Sequence, residues 1–86
     1  MNVGDVFITP GRNIMCNDDV VFAERGDILI VVDIAFKTNR HRELDLRVHM
    51  LHPYHGLVWD EILVLKNKSR DEQLLSFICA CNLVRA

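Results

Sequence analysis

Aromatic residues are scarce in this sequence, with four Phe, one Trp and one Tyr among 86 residues. That is too few for the rows of stacking side chains that hold single-stranded nucleic acid. Proline occurs twice and glycine four times, never as a rich stretch, so no linker divides the chain. With no internal repeat either, residues 1–86 read as a single domain. The three cysteines, Cys16, Cys79 and Cys81, are too few and odd in number for a disulfide framework. The opening Met-Asn-Val-Gly-Asp-Val lacks the basic and apolar regions of a secretory signal, which sets the expectation of a complete small protein in a reducing cytoplasm. Long hydrophobic runs are missing as well. Ile28–Val32 stops at Asp33, far short of the ~20 residues needed to cross a bilayer, so no membrane partner is expected. Nor does one sign of charge dominate: ten Lys and Arg face twelve Asp and Glu, for a net charge of −2. A global basic field for nonspecific binding to nucleic acid is thereby excluded.

What is present is the balance of a folded domain, half of the residues hydrophobic and 26% charged. A chain this short buries roughly 60–65% of its unfolded surface, which leaves little room for a large active-site cleft. Val3–Pro10 reads as a short strand closed by the turn pair Pro10-Gly11. Gly11–Asp19, with Asn13, Asn17, Asp18 and Asp19, reads as loop by composition, and a second strand begins at Val20–Ala23. After a turn at Glu24–Asp27, Ile28–Phe36 is dense in β-branched residues and apolar on both faces for part of its length, the pattern of a central strand. Lys37–Glu43 is a polar loop. Leu44, Leu46, Val48 and Met50 then alternate with Asp45, Arg47 and His49, the clearest half-buried strand in the chain. Pro53–Gly56 turns it back into Leu57–Trp59 as an antiparallel hairpin, and Asp60-Glu61 is expected to interrupt the return strand before a last short stretch, Ile62–Leu65, for a total of about five strands.

The tail changes character at Ser69, which with Glu72 has the spacing of a capping box. Leu74, Phe77, Ile78, Cys81 and Val84 then fall on one helical stripe, predicting a helix over 69–85 with Arg85 in its last turn. A sixth strand through Phe77–Cys81 is the competing reading.

The order of strands, and above all the stretch Val48-His-Met-Leu-His-Pro-Tyr-His-Gly-Leu-Val-Trp-Asp-Glu-Ile-Leu-Val-Leu65, resembles the SH3-like small barrel. It looks like the strand, Gly turn, Trp-bearing strand, single helical turn and closing strand that end many SH3-like and KOW-like domains, including small bacteriophage accessory proteins. The resemblance covers residues 3–66 and implies a mainly β fold: a five-stranded antiparallel SH3-like barrel with a C-terminal α-helix. It implies no activity, because such barrels host unrelated functions. The aromatic-rich loop and paired tyrosines of proline-motif readers are absent; Tyr54 and Trp59 alone could stand in.

No Gly-rich phosphate loop, nucleophile elbow or HExxH run is present, and Asp60 and Glu61 are adjacent on a strand and face opposite ways. No enzymatic activity and no cofactor are expected. His49, His52 and His55, with His41 and the cysteines, form an inventory that could hold zinc. Their spacing sets them on diverging faces, however, and surface histidines with small buried cysteines are the plainer account. Lys37, Arg40, His41, Arg42 and Arg47 concentrate positive charge in and after one loop, and Lys66, Lys68 and Arg70 do so again. Acidic residues gather elsewhere, at Asp18, Asp19, Glu24 and Asp27. A bipolar molecule of this kind is steered toward a protein partner or a second copy of itself. Leu57–Trp59 and the stripe around Phe77 are candidates for the apolar centre of such an interface. The expectation is therefore a noncatalytic interaction protein, of the phage-accessory kind that modulates a host or defence protein. Lys37, Arg40, His41, Arg42, Tyr54 and His55 are its candidate contact residues. An RNA- or DNA-binding barrel using the basic loop 37–47 with Lys66 and Lys68 is the alternative, and a homodimer is compatible with both.

Overall fold

In the computed structural model, which describes residues 1–86, the alternation of the fifth strand sets the plan. Leu46, Val48 and Met50 point into the core with Asp45, Arg47 and His49 outward, as the pleat requires. The elements in order are β1 (Val6–Ile8), β2 (Arg12–Cys16), β3 (Asp19–Ala23), β4 (Ile28–Thr38), β5 (Leu44–His52), β6 (Gly56–Leu63), α1 (Arg70–Ala80) and β7 (Val84–Arg85). All strands belong to one antiparallel sheet of order β3-β2-β6-β5-β4-β1-β7, curled into a half-barrel. The helix lies in its concave side, where Leu74, Phe77 and Cys81 join Phe7, Leu29, Val31, Val48, Met50 and Val58 in a single core cluster of 13 residues.

The strand count is seven rather than the expected five. Residues 12–16 form β2, although the asparagines and aspartates around them read as loop. Arg12, Ile14 and Cys16 lie on the inward side of β2. Asn13 is exposed on the other, and Asn17-Asp18 is the two-residue turn into β3. Asn17 sits at φ 55, the left-handed conformation such a hairpin turn demands and asparagine tolerates. Asp60-Glu61 does not break the return strand either. Asp60 turns inward to an ion pair with Arg12, and Glu61 turns outward to Arg47 at 3.1 Å. Both carboxylates are thus satisfied in place, and β6 runs through to Leu63.

The capping box is present: the Glu72 amide donates to Ser69 Oγ at 3.2 Å and the Ser69 amide to Glu72 Oε1 at 3.1 Å. These bonds hold the Glu72 carboxyl below its usual range, the Ser69 amide being the largest cause. The helix stops at Ala80, however, and not at 85. Asn82 takes φ 51, its amide donates to Cys79 O at 3.1 Å and the Leu83 amide donates to Ile78 O at 3.0 Å. That pair of bonds is a Schellman motif, and buried Leu83 is its apolar contact. Val84 and Arg85 therefore leave the helix and pair with Ile8 and Phe7. Arg85 reaches Asp5 at 3.0 Å, and the Asp5 carboxyl, which also accepts the Asn2 amide, is held low by that amide first and by Arg85 second. Lys37 and Thr38 extend β4, which shortens the polar loop to residues 39–43. Near the middle of that strand a bulge at Val32 resets the register between Val31 and Asp33.

Candidate functional site

The six residues singled out from the sequence fall into two groups at opposite ends of β5. Lys37, Arg40, His41 and Arg42 lie at the β4–β5 hairpin tip, all exposed, and none of the three Lys and Arg groups is ion-paired. Tyr54 and His55 lie in the β5–β6 turn. Nine residues of β5 separate the two turns, roughly 27 Å at the rise of a strand, so a compact site cannot contain both groups.

The hairpin tip is organised by Asn39, a residue whose role the sequence did not disclose. Its Oδ1 accepts the amides of His41 at 2.8 Å and Glu43 at 3.1 Å, and its Nδ2 donates to Asp45 at 3.2 Å. Arg42 takes φ 61 to close the loop. Arg42 and Lys66 line one shallow cleft of ≈ 410 Å³ together with Glu43 and Leu65.

At the other end, strand pairing assembles a surface that sequence reading missed. Ile8 stands between Val84 and Ile28, and in the next row Leu51 stands between Ile30 and Leu57. All six are exposed on the convex side, from 36% at Ile8 to 61% at Val84. The signal was there in Ile28–Val32, apolar on both faces. That pattern reads as a strand buried twice over, yet only Leu29 and Val31 are buried. Contiguous apolar surface of this kind marks interaction sites. A groove of ≈ 610 Å³ runs beside it, lined by Ile28, Ile30, Leu51, Pro53 and Tyr54 above the Asp27–His52 pair. Tyr54, 81% exposed, is its most accessible aromatic. Of the other apolar candidates, Val58 and Phe77 are core, and Trp59 is half-buried beneath the Arg47 guanidinium, 3.9 Å from the ring centre.

The polar groups around the groove are structural. Buried His52 places Nε2 2.7 Å from Asp27 Oδ2, and its Nδ1 accepts the Tyr54 and His55 amides at 3.1 Å each. A nitrogen receiving two N–H groups carries no proton, so the network assigns the proton to Nε2. Neither nitrogen is left to take a proton from a substrate. His49 lies on the convex face 3.9 Å from Asp33, and His55 stacks on His52 with ring centres 4.9 Å apart. No three His, Cys, Asp or Glu side chains converge as a metal site would require. The Cys81 thiol is buried against Asp60, and desolvation first and the carboxylate second push it up to about 12, which makes it a poor nucleophile. No helix is long and apolar enough to cross a membrane.

No family model, curated protein or solved structure matches this chain.

Proposed function

We propose that this chain is a noncatalytic interaction protein that binds a larger protein through the convex end of its sheet, with the two apolar rows at the centre and Tyr54 and His55 at the rim. The observation that carries this reading is the exposure of Ile28, Ile30, Leu51 and Leu57 side by side. An aliphatic cluster with an aromatic beside it supplies the buried centre from which protein interfaces draw most of their energy. The β4–β5–β6 meander contains most of the stretch on which the SH3-like resemblance rests. In folds of that kind, function belongs to faces and loops that differ from one member to the next.

The test is capture from cell lysate, with and without nuclease, using the parent chain, Leu57→Lys and the double charge reversal Arg40→Glu/Arg42→Glu. A discrete protein retained after nuclease and lost with Leu57→Lys supports the reading. Retention by Leu57→Lys removes the convex face from the interface.

A second reading has its own observation, the convergence of Arg42 and Lys66 on one cleft at the opposite end. Two cations facing a shared concavity suit a phosphate backbone, and the basic-loop nucleic-acid interface would then be this one. Its signature is steep loss of affinity with salt, abolished in Arg40→Glu/Arg42→Glu.

A further inference from the structure

The two edges of the sheet are finished differently. At one edge β7 is only two residues long, and Arg85 on it is held by Asp5. Short strands and charge are the means by which proteins keep an edge from pairing. At the other edge β3 runs for five residues, Asp-Val-Val-Phe-Ala, with no proline, lysine or bulge, and pairs with β2 alone. The two-residue turn fixes which of its backbone groups are free. Cys16 and Asp19 flank that turn as partners, so they must exchange both of their hydrogen bonds, and the alternation of an antiparallel ladder turns Val21 and Ala23 toward β2 as well. The N–H and C=O groups of Val20 and Phe22 therefore point away from the sheet. No side-chain or loop hydrogen bond of the chain uses them. The same two residues carry exposed apolar side chains, 61% for Val20 and 48% for Phe22.

We propose that β3 pairs with β3 of a second copy, antiparallel about a two-fold axis through Val21, joining two half-barrels into one continuous sheet. The strand is complementary to itself in this register. Val20 faces Phe22 of the second copy, and symmetry repeats the pair, so the two free residues of each strand exchange both their hydrogen bonds. A β-branched residue opposite an aromatic on one face is also a favourable cross-strand pair. On the other face Asp19 lies opposite Ala23 of the second copy. The register pairs every free backbone group of one strand with one of the other and sets the exposed Val20 and Phe22 side chains against each other, which argues for a second copy as the occupant. The contact is isologous, so assembly closes at two chains. It is separate from the convex surface proposed above and stands or falls without it.

Sedimentation across a dilution series and amide exchange at low and high concentration test the proposal together. The mass should rise from 9.9 kDa toward twice that value. The Val20 and Phe22 amides should gain protection with concentration, and that of Val21 should be protected throughout. Val20→Lys, at an exposed position, should stay monomeric with an unchanged circular dichroism spectrum. A chain that remains monomeric at every concentration overturns the proposal. So does a dimer that leaves Val20 and Phe22 exchanging freely, or one that Val20→Lys forms as readily as the parent.

Discussion

Asp27 and His52 lie 25 residues apart in sequence and meet at 2.7 Å, tying the turn between β3 and β4 to the turn between β5 and β6. The Asp27 carboxylate also accepts the Glu24 amide at 3.0 Å, and His52 gathers the amides of Tyr54 and His55. One buried ring and one carboxylate thus order both turns that border the groove. Tyr54 owes its outward posture to them.

Replacing His52 by Leu strands the Tyr54 and His55 amides and leaves the Asp27 carboxylate with the Glu24 amide alone. The loss should amount to about 2–4 kcal/mol of unfolding free energy, the cost of unpaired buried polar groups. Tyr54→Ala should change stability by less than about 0.5 kcal/mol, because its side chain is solvent-exposed. Urea denaturation compares the two, and equal effects would mean that His52 does not order the turns. Nitrogen shifts of the His52 ring should report the Nε2–H form.

Acid should weaken the fold through Glu72 and Asp5. Both carboxyls are held low in the folded chain, so the unfolded chain takes up protons first as pH falls. The stability they contribute is full above the ordinary carboxylate range, near 4.5 for Glu72 and 3.8 for Asp5, and is lost as pH drops through the lowered folded values. The melting temperature should decline below about pH 4.5, and Glu72→Gln should flatten part of that decline. An acid limb of unchanged slope in Glu72→Gln and Asp5→Asn would remove both groups from it.

Elements whose cause is local were legible in the sequence. The alternation of β5 needs only side chains two apart, and the capping box needs only Ser69 and Glu72. What was not legible depends on partners far away in the chain. Arg12 in a polar stretch becomes part of a strand because Asp60, 48 residues on, receives it. Asp60-Glu61 continues β6 for the same reason, and Val84 and Arg85 exchange a helical stripe for a place beside β1. The candidate contact residues are exposed, and they stand in two groups at opposite ends of β5, a placement set by the hairpin and not by their spacing in the sequence. The apolar rows arise from register across strands, which spacing within one strand does not reveal.

The three cysteines should alkylate in an order set by access. Cys79 is exposed, Cys16 half-buried and Cys81 buried, so Cys79 should react first and Cys81 only on unfolding. Mass spectrometry of a timed iodoacetamide reaction reads this, and early labelling of Cys81 would contradict its burial. The raised thiol also sets a sign on the alkaline side. Folded Cys81 keeps its proton to about 12 against an ordinary 9.0, so the unfolded state releases its proton first and stability falls as pH climbs above 9. Cys81→Ala should lessen that fall while costing packing at all pH values.

Arg12 joins three parts of the fold, and substitutions of it and of Asp60 should separate. Its guanidinium pairs with Asp60 and donates through Nη1 to Ala80 O at 3.4 Å, placing a cation at the helix C-terminus where the dipole favours one. Removing it in Arg12→Ala leaves Asp60 without a counter-charge beside the Cys81 thiol and the Ala80 carbonyl without its donor. The expected cost is about 2–3 kcal/mol, below the range for a fully buried pair because the partners keep 29% and 19% of their side-chain exposure. Asp60→Asn keeps the shape, costs less, and removes one of the causes that raise Cys81. The thiol should therefore ionise at lower pH in Asp60→Asn, and in Arg12→Ala at higher pH, since the guanidinium is the group that lowers it. Thiolate absorbance near 240 nm on Cys16→Ala/Cys79→Ala backgrounds follows the titration in each. Shifts of the same sign in both variants would show that Cys81 responds to loosened packing and not to charge.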